Sequence, residues 1–147
     1  HLKPQQTFAP NILDYDNLLC SCQLELSKGE PRHCGNAKGS WYDASLLVSP
    51  LDSTCEQQFT FTLDGYINPA GDNAASVQTI KHLALDSDKL RNMREAVIEA
   101  FIMDDDISSV EVERFITYYL LKKDNRFNAF HTTISSLTQE LIKLAPS

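Results

Sequence analysis

Hydrophobic and polar positions alternate most regularly just before the middle of the chain. From Phe59 to Leu63 every second side chain is apolar, and threonines fill the positions between them. The pair Asp64-Gly65 follows, a combination favoured in two-residue hairpin turns, and a second apolar run begins at Tyr66. A period of two residues is typical of a strand with one buried face. The pattern therefore predicts a β-hairpin with its turn at Asp64 and Gly65.

The apolar period becomes helical after residue 74, where hydrophobic side chains recur every three or four positions. A short helix is predicted to carry Val77, Ile80 and Ala84 on one face. A second helix is expected to start after Asp86 or Ser87, because a short polar side chain at the N-cap accepts hydrogen bonds from the first backbone amides. Its predicted apolar face consists of Leu90, Met93, Val97, Ala100 and Phe101.

Two further helices are predicted in the last third of the chain. The sequence Ser108-Ser109-Val110-Glu111 has the form of a capping box, in which the first serine and the glutamate satisfy each other's backbone amides. The helix that it opens carries Phe115, Tyr118, Tyr119 and Leu121. Pro146 follows the last helix. The apolar positions of that last helix are Phe127, Phe130, Ile134, Leu137, Leu141 and Leu144.

The first 47 residues have a weaker pattern, typical of loops and short elements. Asn17 to Cys22 is the only compact strand candidate, and the polar stretch after it has turn chemistry. Lys38-Gly39-Ser40 is predicted to open a short helix that continues to Leu47. The whole chain thus predicts an α+β fold in a single domain, 1–147, with a small ββα unit (1–47), a hairpin region (48–70) and a helical region (74–147).

Composition and charge narrow the classes of function. Of 147 residues, 42% are hydrophobic and 22% charged, as in ordinary globular domains. No apolar run approaches the roughly 20 residues that cross a bilayer, and the first residues do not resemble a signal peptide, so we expect a cytoplasmic protein without a membrane partner. The net charge of −7 opposes a broad electrostatic grip on nucleic acid. Acidic residues concentrate between Asp86 and Glu113, whereas Lys3 and Lys38 lie in the first part.

Three short fragments carry the candidate chemistry. They are His1-Leu2-Lys3-Pro4, the run from Asp16 to Cys22, and the run from His33 to Gly39. In this order they resemble the His, the Asn and the terminal ligand with Lys-Gly that define the HNH, or ββα-metal, nucleases. The similarity continues through 48–56, 59–67 and 79–85, where the chain resembles the PtuB-like HNH endonuclease subunit of retron and Septu-type bacterial anti-phage systems. It covers nearly the whole chain and is weakest after Asp124.

The resemblance implies a role for each residue of the motif. His1 would be the general base that takes a proton from water, and Asn17 would fix the imidazole or its loop. In the family a metal ligand stands three residues before the Lys of Lys-Gly, where this chain has Gly35. We expect His33 to replace it, with Asn36 as the second choice, in a site for Mg²⁺ or Mn²⁺.

The same resemblance implies contacts from Lys3 and Lys38 to nucleic acid. For Lys38 the alternative is a solvated lysine near a helix N-terminus. The family also has an acidic metal ligand directly before its histidine, and the sequence opens on His1. By the resemblance, that ligand is absent from this sequence.

The four cysteines provide a second, separate signal. In a cytosolic protein, cysteines bind metals or stay buried as thiols more often than they form disulfides. Cys22 and Cys34 occupy positions that form half of a structural zinc site in many HNH proteins, and Cys55 could join them. Cys20 alternates with Cys22 along the predicted strand and would face away. A structural Zn²⁺ at Cys22, Cys34 and Cys55 is therefore one hypothesis, and ordinary buried cysteines are the other.

Three functions compete on these observations. The first is a metal-dependent HNH endonuclease that cleaves DNA or RNA as the effector of an anti-phage system. By resemblance its partner is an ABC or SMC-like ATPase, which would bury apolar side chains among Tyr118, Tyr119, Phe127 and Phe130. The second is a non-catalytic HNH-like adaptor that docks the ATPase or nucleic acid. The third is a small helical regulatory domain, and convergence of His1, Asn17 and His33 or Asn36 on one point would distinguish the three.

Overall fold

The computed structural model describes residues 1–22, 26–102 and 107–145. Helices and a two-stranded sheet occur together, which confirms the predicted α+β class. The helices are α1 (Gly35–Lys38), α2 (Ala74–His82), α3 (Asp88–Glu99), α4 (Ser109–Leu120) and α5 (His131–Leu144), and the strands are β1 (Phe59–Phe61) and β2 (Ile67–Pro69). Single 3-10 turns lie at Ala9–Asn11, Tyr15–Asn17 and Cys55–Gln58. Among the described residues, none of the helices combines the length and apolarity that a bilayer crossing requires.

The chain divides into two compact units. The first unit contains His1–Phe59 and Ile67–Lys89, and the second contains Thr60–Tyr66 and the chain from Leu90 onward. The predicted ββα region thus belongs to the first unit, and the long helices α4 and α5 belong to the second. The acidic positions 104–106 and Pro146, which the sequence singled out, lie outside the described residues.

The predicted hairpin is present, although its loop is one residue longer than expected. Thr62 donates its backbone N–H to Tyr66, and Gly65 donates to Thr62, so three residues separate the last paired positions. Gly65 has φ of +80°. A three-residue hairpin loop places a residue in the left-handed region at its last position, and glycine adopts that conformation without a Cβ clash. The prediction of a turn at Asp64 and Gly65 was therefore correct, and the prediction of a two-residue turn was wrong.

The second unit is built around one apolar cluster. Its fully buried members come from three helices, namely Ile98 on α3, Val112 and Ile116 on α4, and Ile134, Leu137 and Leu141 on α5. Phe61 and Leu63 of the hairpin pack against this cluster. Each fully buried Leu or Ile side chain contributes roughly 1.5–3 kcal/mol through removal of apolar surface from water.

In the second unit α3 and α4 begin where their predicted caps place them, whereas α5 begins at His131, so Phe127 and Phe130 precede the helix that was expected to carry them. The buried face of α3 also differs from its prediction. Glu111 accepts a hydrogen bond of 3.0 Å from the backbone N–H of Ser108, as the capping box predicts. On α3 the buried side chains are Leu90, Arg94 and Ile98, whereas Met93 is 46% exposed. Arg94 is buried because its guanidinium donates to the carbonyl oxygen of Gly65 at 2.7 Å. A cation thus occupies a position where an apolar pattern would place a hydrophobic residue.

In the first unit the predicted local elements are shifted or missing. The expected strand from Asn17 to Cys22 does not form: its start lies in a 3-10 turn, Leu18 is half exposed, and the described strands are β1 and β2. A strand there would need a neighbour to satisfy its backbone groups, and the adjacent loops instead bond the Asn17 side chain. The helix expected to open at Lys38 ends there, because Gly39 has φ of +53° and terminates α1.

Helix α2 also differs from its predicted pattern. It begins at the N-cap Asn73, whose side chain accepts hydrogen bonds from the N–H groups of Ala75 and Ser76. It ends before Ala84, and its buried residues are Ser76 and Thr79. The Thr79 hydroxyl bridges to the segment before the hairpin, because it accepts from the Val48 N–H at 2.8 Å and donates to Leu46. Polar contacts therefore decide which face of α2 is buried.

Candidate functional site

His1 is exposed, and two neighbours orient its ring. Its Nε2 lies 3.1 Å from the carbonyl oxygen of Ile12. A carbonyl oxygen only accepts, so in the neutral imidazole Nε2 carries the proton and Nδ1 is the proton-accepting nitrogen. The side-chain amide nitrogen of Gln5 lies 3.2 Å from Nδ1 and 3.1 Å from Nε2, and Nδ1, the ring nitrogen without a proton, is the one that can accept from it. The ring is therefore held in the tautomer that presents a basic nitrogen, and a surface amide covers that nitrogen.

Asn17 is buried and joins the two loops that orient His1. Its Oδ1 accepts from the backbone N–H of Lys3 at 2.6 Å, and its Nδ2 donates to the carbonyl oxygens of Lys3 and Asn11 at 3.1 and 2.9 Å. The backbone of Asn17 also accepts from the Leu2 N–H at 2.9 Å. One loop carries His1 and the other carries the Ile12 carbonyl that orients its ring. Asn17 therefore holds together the two loops that position His1, and its own side chain is buried.

An open cleft of about 500 Å³ lies beside His1, in the first unit. Its polar lining consists of His1, Gln5, Gln6, Ser21, Asn36, Lys38 and Ser40. Asn36 lies one residue into α1, and it is the member of the predicted ligand pair that reaches this cleft. No carboxylate is among the lining residues that the structure describes. The cleft is therefore a neutral to basic surface with amide and hydroxyl oxygens beside an imidazole.

His33, the first choice for the cleft ligand, lies elsewhere. It is buried, and its Nδ1 is 3.2 Å from Cys22 Sγ and 3.3 Å from Cys34 Sγ. The backbone turns sharply at Cys34, which has φ of +54° and donates its N–H to the Leu83 carbonyl at 2.7 Å. This turn separates His33 from α1, so His33 and Asn36 serve different sites. Sequence spacing alone gave no sign of that left-handed residue.

Gly35 occupies the family's ligand position for a geometric reason. A Cβ built on Gly35 would lie 3.2 Å from the Ser21 hydroxyl oxygen, so a larger side chain would displace Ser21 from the cleft. The sequence analysis missed Ser21 and the pair Gln5-Gln6 as lining residues. The signal available in the sequence was weak, because polar residues in loops are common.

Lys3 and Lys38, the two lysines expected to contact nucleic acid, differ in burial and in hydrogen bonding. Lys38 lines the cleft, and its side chain is mostly buried with Nζ donating to the Trp41 carbonyl at 3.0 Å. Burial lowers the pKa of the Lys38 ammonium below its ordinary value. Lys3 is half-buried, and its backbone is bound to Asn17. Lys38 thus supports the loop after α1 in addition to facing the cleft.

A second site gathers sulfur and nitrogen. Cys22, His33 and Cys34 bring their ligand atoms within 4.8 Å of one another, and Cys22 and Cys34 are joined as a disulfide. We name these three residues the sulfur cluster. The disulfide differs from the expectation of thiols, and it is favoured here because the turn at Cys34 places its Cα 6.7 Å from that of Cys22.

The electrostatic environment of His33 suits a residue that coordinates a metal. Burial lowers the pKa of the His33 imidazole below its ordinary value, and the Lys89 ammonium lowers it further while Glu30 opposes the shift. Glu30 and Lys89 form an ion pair next to it. His33 is therefore neutral near pH 7, and a neutral imidazole has a lone pair for a metal.

Cys55, the third predicted zinc ligand, is not a member of the sulfur cluster. It is a free, half-buried thiol, and Cys20 is a free, exposed one. Burial raises the pKa of the Cys55 thiol, and the carboxylates of Glu56 and Asp52 raise it further. Since a thiolate is the form that binds metal, Cys55 is poorly suited to that role. The structure offers His33 in its place.

The aromatic residues proposed to contact a partner are divided between core and surface. Tyr118 and Phe127 are 72% and 53% exposed. Tyr119 and Phe130 are half-buried. Two of the four predicted side chains are thus exposed in the second unit, and Tyr119 also packs against its apolar cluster.

An imidazole with a fixed tautomer beside hard oxygen donors in an open cleft has the chemistry of a hydrolytic site. The chain is 33% identical over 110 residues to a protein of Vibrio cholerae serotype O1 biovar El Tor described as "Retron Vc95 putative HNH endonuclease". The match covers 69% of this chain and 51% of that protein, so the chain spans about half the length of the curated relative it matches. No family model matches the chain.

Proposed function

We propose that this chain carries the catalytic site of a metal-dependent HNH-type endonuclease that hydrolyses phosphodiester bonds. One observation carries the proposal: His1 and Asn36, far apart in sequence, line the same cleft. The similarity to a protein named as an HNH endonuclease supports it. A hydrolase of this kind needs a base, a cation and a scaffold that holds both beside the phosphate.

His1 acts as the base in this proposal. Nδ1 takes the proton from the attacking water after the Gln5 amide is displaced, and the hydrogen bond from Nε2 to Ile12 keeps the ring oriented. Asn17 is a positioning residue, because its three side-chain hydrogen bonds hold both loops without adding charge near the phosphate. An amide suits this role better than a carboxylate, which would repel the substrate.

The cleft fits a divalent cation only in part. The side chains of Gln6, Ser21 and Asn36 offer amide and hydroxyl oxygens, which suit Mg²⁺ and Mn²⁺, and Asn36 is the ligand we assign. A bound cation would neutralise charge on the phosphate and on the leaving oxygen. Carboxylates are the usual protein ligands for these ions, and the described lining holds none.

The biological setting is also a proposal. Nucleic acid is the substrate class, and the retron in the relative's name supports a role in anti-phage defence. An ABC or SMC-like ATPase remains the proposed partner. The second candidate is the non-catalytic adaptor, favoured by the cleft's missing carboxylate and by glycine at position 35. An assay for cleavage separates the two functions.

Replacing Asn36 by alanine should raise the Mg²⁺ or Mn²⁺ concentration that gives half-maximal cleavage, because the cleft loses an oxygen ligand. We expect an increase of about tenfold or more, the usual scale for a disturbed metal site. The measurement is cleavage of labelled DNA and RNA over a metal titration, with chelator as the blank.

Asn92→Ala is the matched control for this titration, because Asn92 is an exposed amide on α3 of the second unit. It should leave the metal dependence unchanged. A wild-type chain that cleaves neither DNA nor RNA at any metal concentration would favour the adaptor. Equal metal requirements in wild type and the Asn36 variant would place the cation elsewhere.

We further propose that the sulfur cluster binds Zn²⁺ when its disulfide is reduced. Reduction by a dithiol breaks the Cys22–Cys34 bond and yields two thiols, which lose their protons on binding the metal. His33 supplies the third ligand. The reduced chain should bind one equivalent of Zn²⁺ in competition with a chromogenic chelator, and the oxidised chain should bind none.

Two variants test the ligand assignment. His33→Ala should weaken Zn²⁺ binding about 10- to 100-fold, the scale of losing a supporting group in a zinc site, whereas Cys55→Ser should have no effect. Zinc binding that depends on Cys55 and not on His33 would restore the ligand set expected from the sequence. Equal Zn²⁺ binding by the oxidised and reduced chains would exclude the sulfur cluster as the zinc site.

A further inference from the structure

The second unit contains a tight turn that presents basic side chains. Lys123 and Arg126 form an isolated antiparallel bridge, and each donates its backbone N–H to the other's carbonyl at 2.9 Å. Asp124 and Asn125 between them have φ of +51° and +60°. Two consecutive left-handed residues are the conformation of a type I′ turn, for which Asp and Asn are suited. We name residues 122–127 the basic turn.

The basic turn is anchored to α4 by polar contacts on both sides of the loop that follows it. The Tyr119 hydroxyl donates to the Ala129 carbonyl at 2.5 Å, and the Asn128 amide donates to the Tyr119 carbonyl at 2.5 Å. Burial raises the pKa of the Tyr119 hydroxyl, so it remains a donor at neutral pH. These bonds hold the turn against the end of the helix.

The cations of the basic turn lie close together without carboxylate partners. Residues directly opposite in an antiparallel pair place their side chains on one side, so Lys123 and Arg126 repel each other. Among the residues that the structure describes, no carboxylate lies within ion-pair distance of the Lys123 ammonium or the Arg126 guanidinium. Lys122 extends over the Phe127 ring, with 4.7 Å between Nζ and the ring centroid. All three cations are exposed.

Exposed aromatic rings stand beside these cations. Tyr118 is 72% exposed, and it lines a hollow of about 340 Å³ together with Lys122 and Lys123. Phe127 is 53% exposed and contacts the His131 ring at 4.1 Å on one side. Exposed aromatic area is unfavourable in water, and like charges held together are also unfavourable. One ligand would relieve both if it combined flat apolar rings with regularly spaced negative charge.

We propose that the basic turn and Tyr118 bind single-stranded nucleic acid. Lys123 and Arg126 each contact a phosphate, and an unpaired base stacks on Tyr118 beside Phe127, as aromatic and cationic side chains combine in other single-strand sites. Paired bases could not reach these rings, because their faces are stacked within the duplex. The proposal rests on nucleic acid being the substrate class of this chain, and it adds a binding surface in the second unit that is separate from the cleft residues.

A protein partner is the competing occupant of this surface. It would bury the apolar rings, and the paired cations would then need acidic groups from the partner. Nucleic acid fits the observations more closely, because the net charge of −7 makes a local concentration of unpaired cations unusual in this chain.

The test is binding of labelled single-stranded DNA and RNA of about 12 nucleotides, a length within the usual site size, measured by fluorescence anisotropy in chelator so that no cleavage occurs. Lys123→Glu with Arg126→Glu should weaken binding at least about tenfold and reduce the salt dependence by roughly 1.4 in the logarithmic slope, since two phosphate contacts are lost. The double variant Lys123→Gln with Arg126→Gln should also weaken binding, but by a smaller factor.

Matched controls separate local contact from net charge. Lys81→Glu with Lys143→Glu makes the same change in charge at two exposed positions and should weaken binding only about twofold to threefold, because screened distant charges act weakly. Tyr118→Ala should weaken binding about 5-fold or more through loss of one stacked base. Tyr15→Ala is its control, since Tyr15 is 85% exposed and lies in the first unit. Circular dichroism checks that each variant is folded.

Equal losses in the two charge-reversal pairs would overturn the proposal, as would failure of the wild type to bind either single strand. Duplex binding as tight as single-strand binding, with no effect of Tyr118→Ala, would also overturn it and would favour the partner protein as the occupant of the rings. Binding without cleavage in metal would count against the proposed nuclease and leave the basic turn supported. Cleavage by the wild type, together with unchanged binding by the variants, would count against the basic turn and leave the proposed nuclease supported.

Discussion

Replacement of His1 by alanine is expected to slow phosphodiester cleavage about 10²- to 10⁴-fold, the usual contribution of a general base. The reason is that Nδ1 is the proton-accepting nitrogen of a ring that lines the cleft, and no other imidazole lines the cleft among the described residues. The rate at saturating substrate and metal measures the effect. Binding of nucleic acid in chelator should be nearly unchanged, because a neutral imidazole adds little attraction for phosphate.

Two further variants connect this rate to the geometry. Asn17→Ala should lower the cleavage rate as well, and it should also destabilise the first unit, because three side-chain hydrogen bonds to a buried residue are lost. His1 is exposed, so His1→Ala should leave the melting temperature unchanged. A His1 variant that cleaves as fast as the wild type would remove His1 from the catalytic assignment.

The second large effect is on stability. Gly65→Ala should lower the free energy of unfolding by about 2 to 5 kcal/mol, since a left-handed alanine costs roughly 1–2 kcal/mol and an overpacked backbone contact roughly 1–3 kcal/mol. A Cβ on Gly65 would overlap the Arg91 carbonyl oxygen and lie 3.1 Å from the Glu95 amide nitrogen, both in the backbone of α3. Urea unfolding followed by circular dichroism measures the loss.

Gly71→Ala is the matched control for Gly65→Ala. Gly71 has φ of +65°, close to that of Gly65, and a Cβ there meets no atom within 4 Å. Its substitution should cost only about 1–2 kcal/mol, the conformational term alone. If the two variants lost the same stability, the close approach of the loop to α3 would contribute nothing. Gly65→Ala would then provide no evidence for the packing described above.

The elements with repeated patterns could be predicted from the sequence, and those with single special residues could not. Alternation from Phe59 onward predicted the hairpin, and the capping box predicted the start of α4, because both depend on neighbours in sequence. The left-handed turn at Cys34 is held by a tertiary contact, because its N–H donates to the Leu83 carbonyl, and no local pattern indicates its φ of +54°. Gly39 ends α1 by a local effect, because glycine adopts φ of +53° without a Cβ clash. These two turns determine where α1 begins and ends, and the prediction there was wrong.

The candidate site divides in the same way. The residue types were available from sequence: an imidazole, an amide and a second ligand near Lys-Gly suggested hydrolytic chemistry by resemblance to a family. Which side chain reaches which site depends on the direction of the backbone after His33. The left-handed Cys34 directs His33 to the sulfur cluster and Asn36 to the cleft, although only two residues separate His33 from Asn36 in the sequence.

By itself, the sequence determined the α+β class, the hairpin, the two long C-terminal helices and the identity of the residues with catalytic potential. These follow from periodicity, capping and side-chain chemistry, which act over a few residues. Only the tertiary structure decided the pairing of Cys22 with Cys34, the burial of Asn17 and Arg94, and the concentration of cations around Tyr118. Those features require segments distant in sequence or turns of special conformation, and their free energies arise only when the chain is folded.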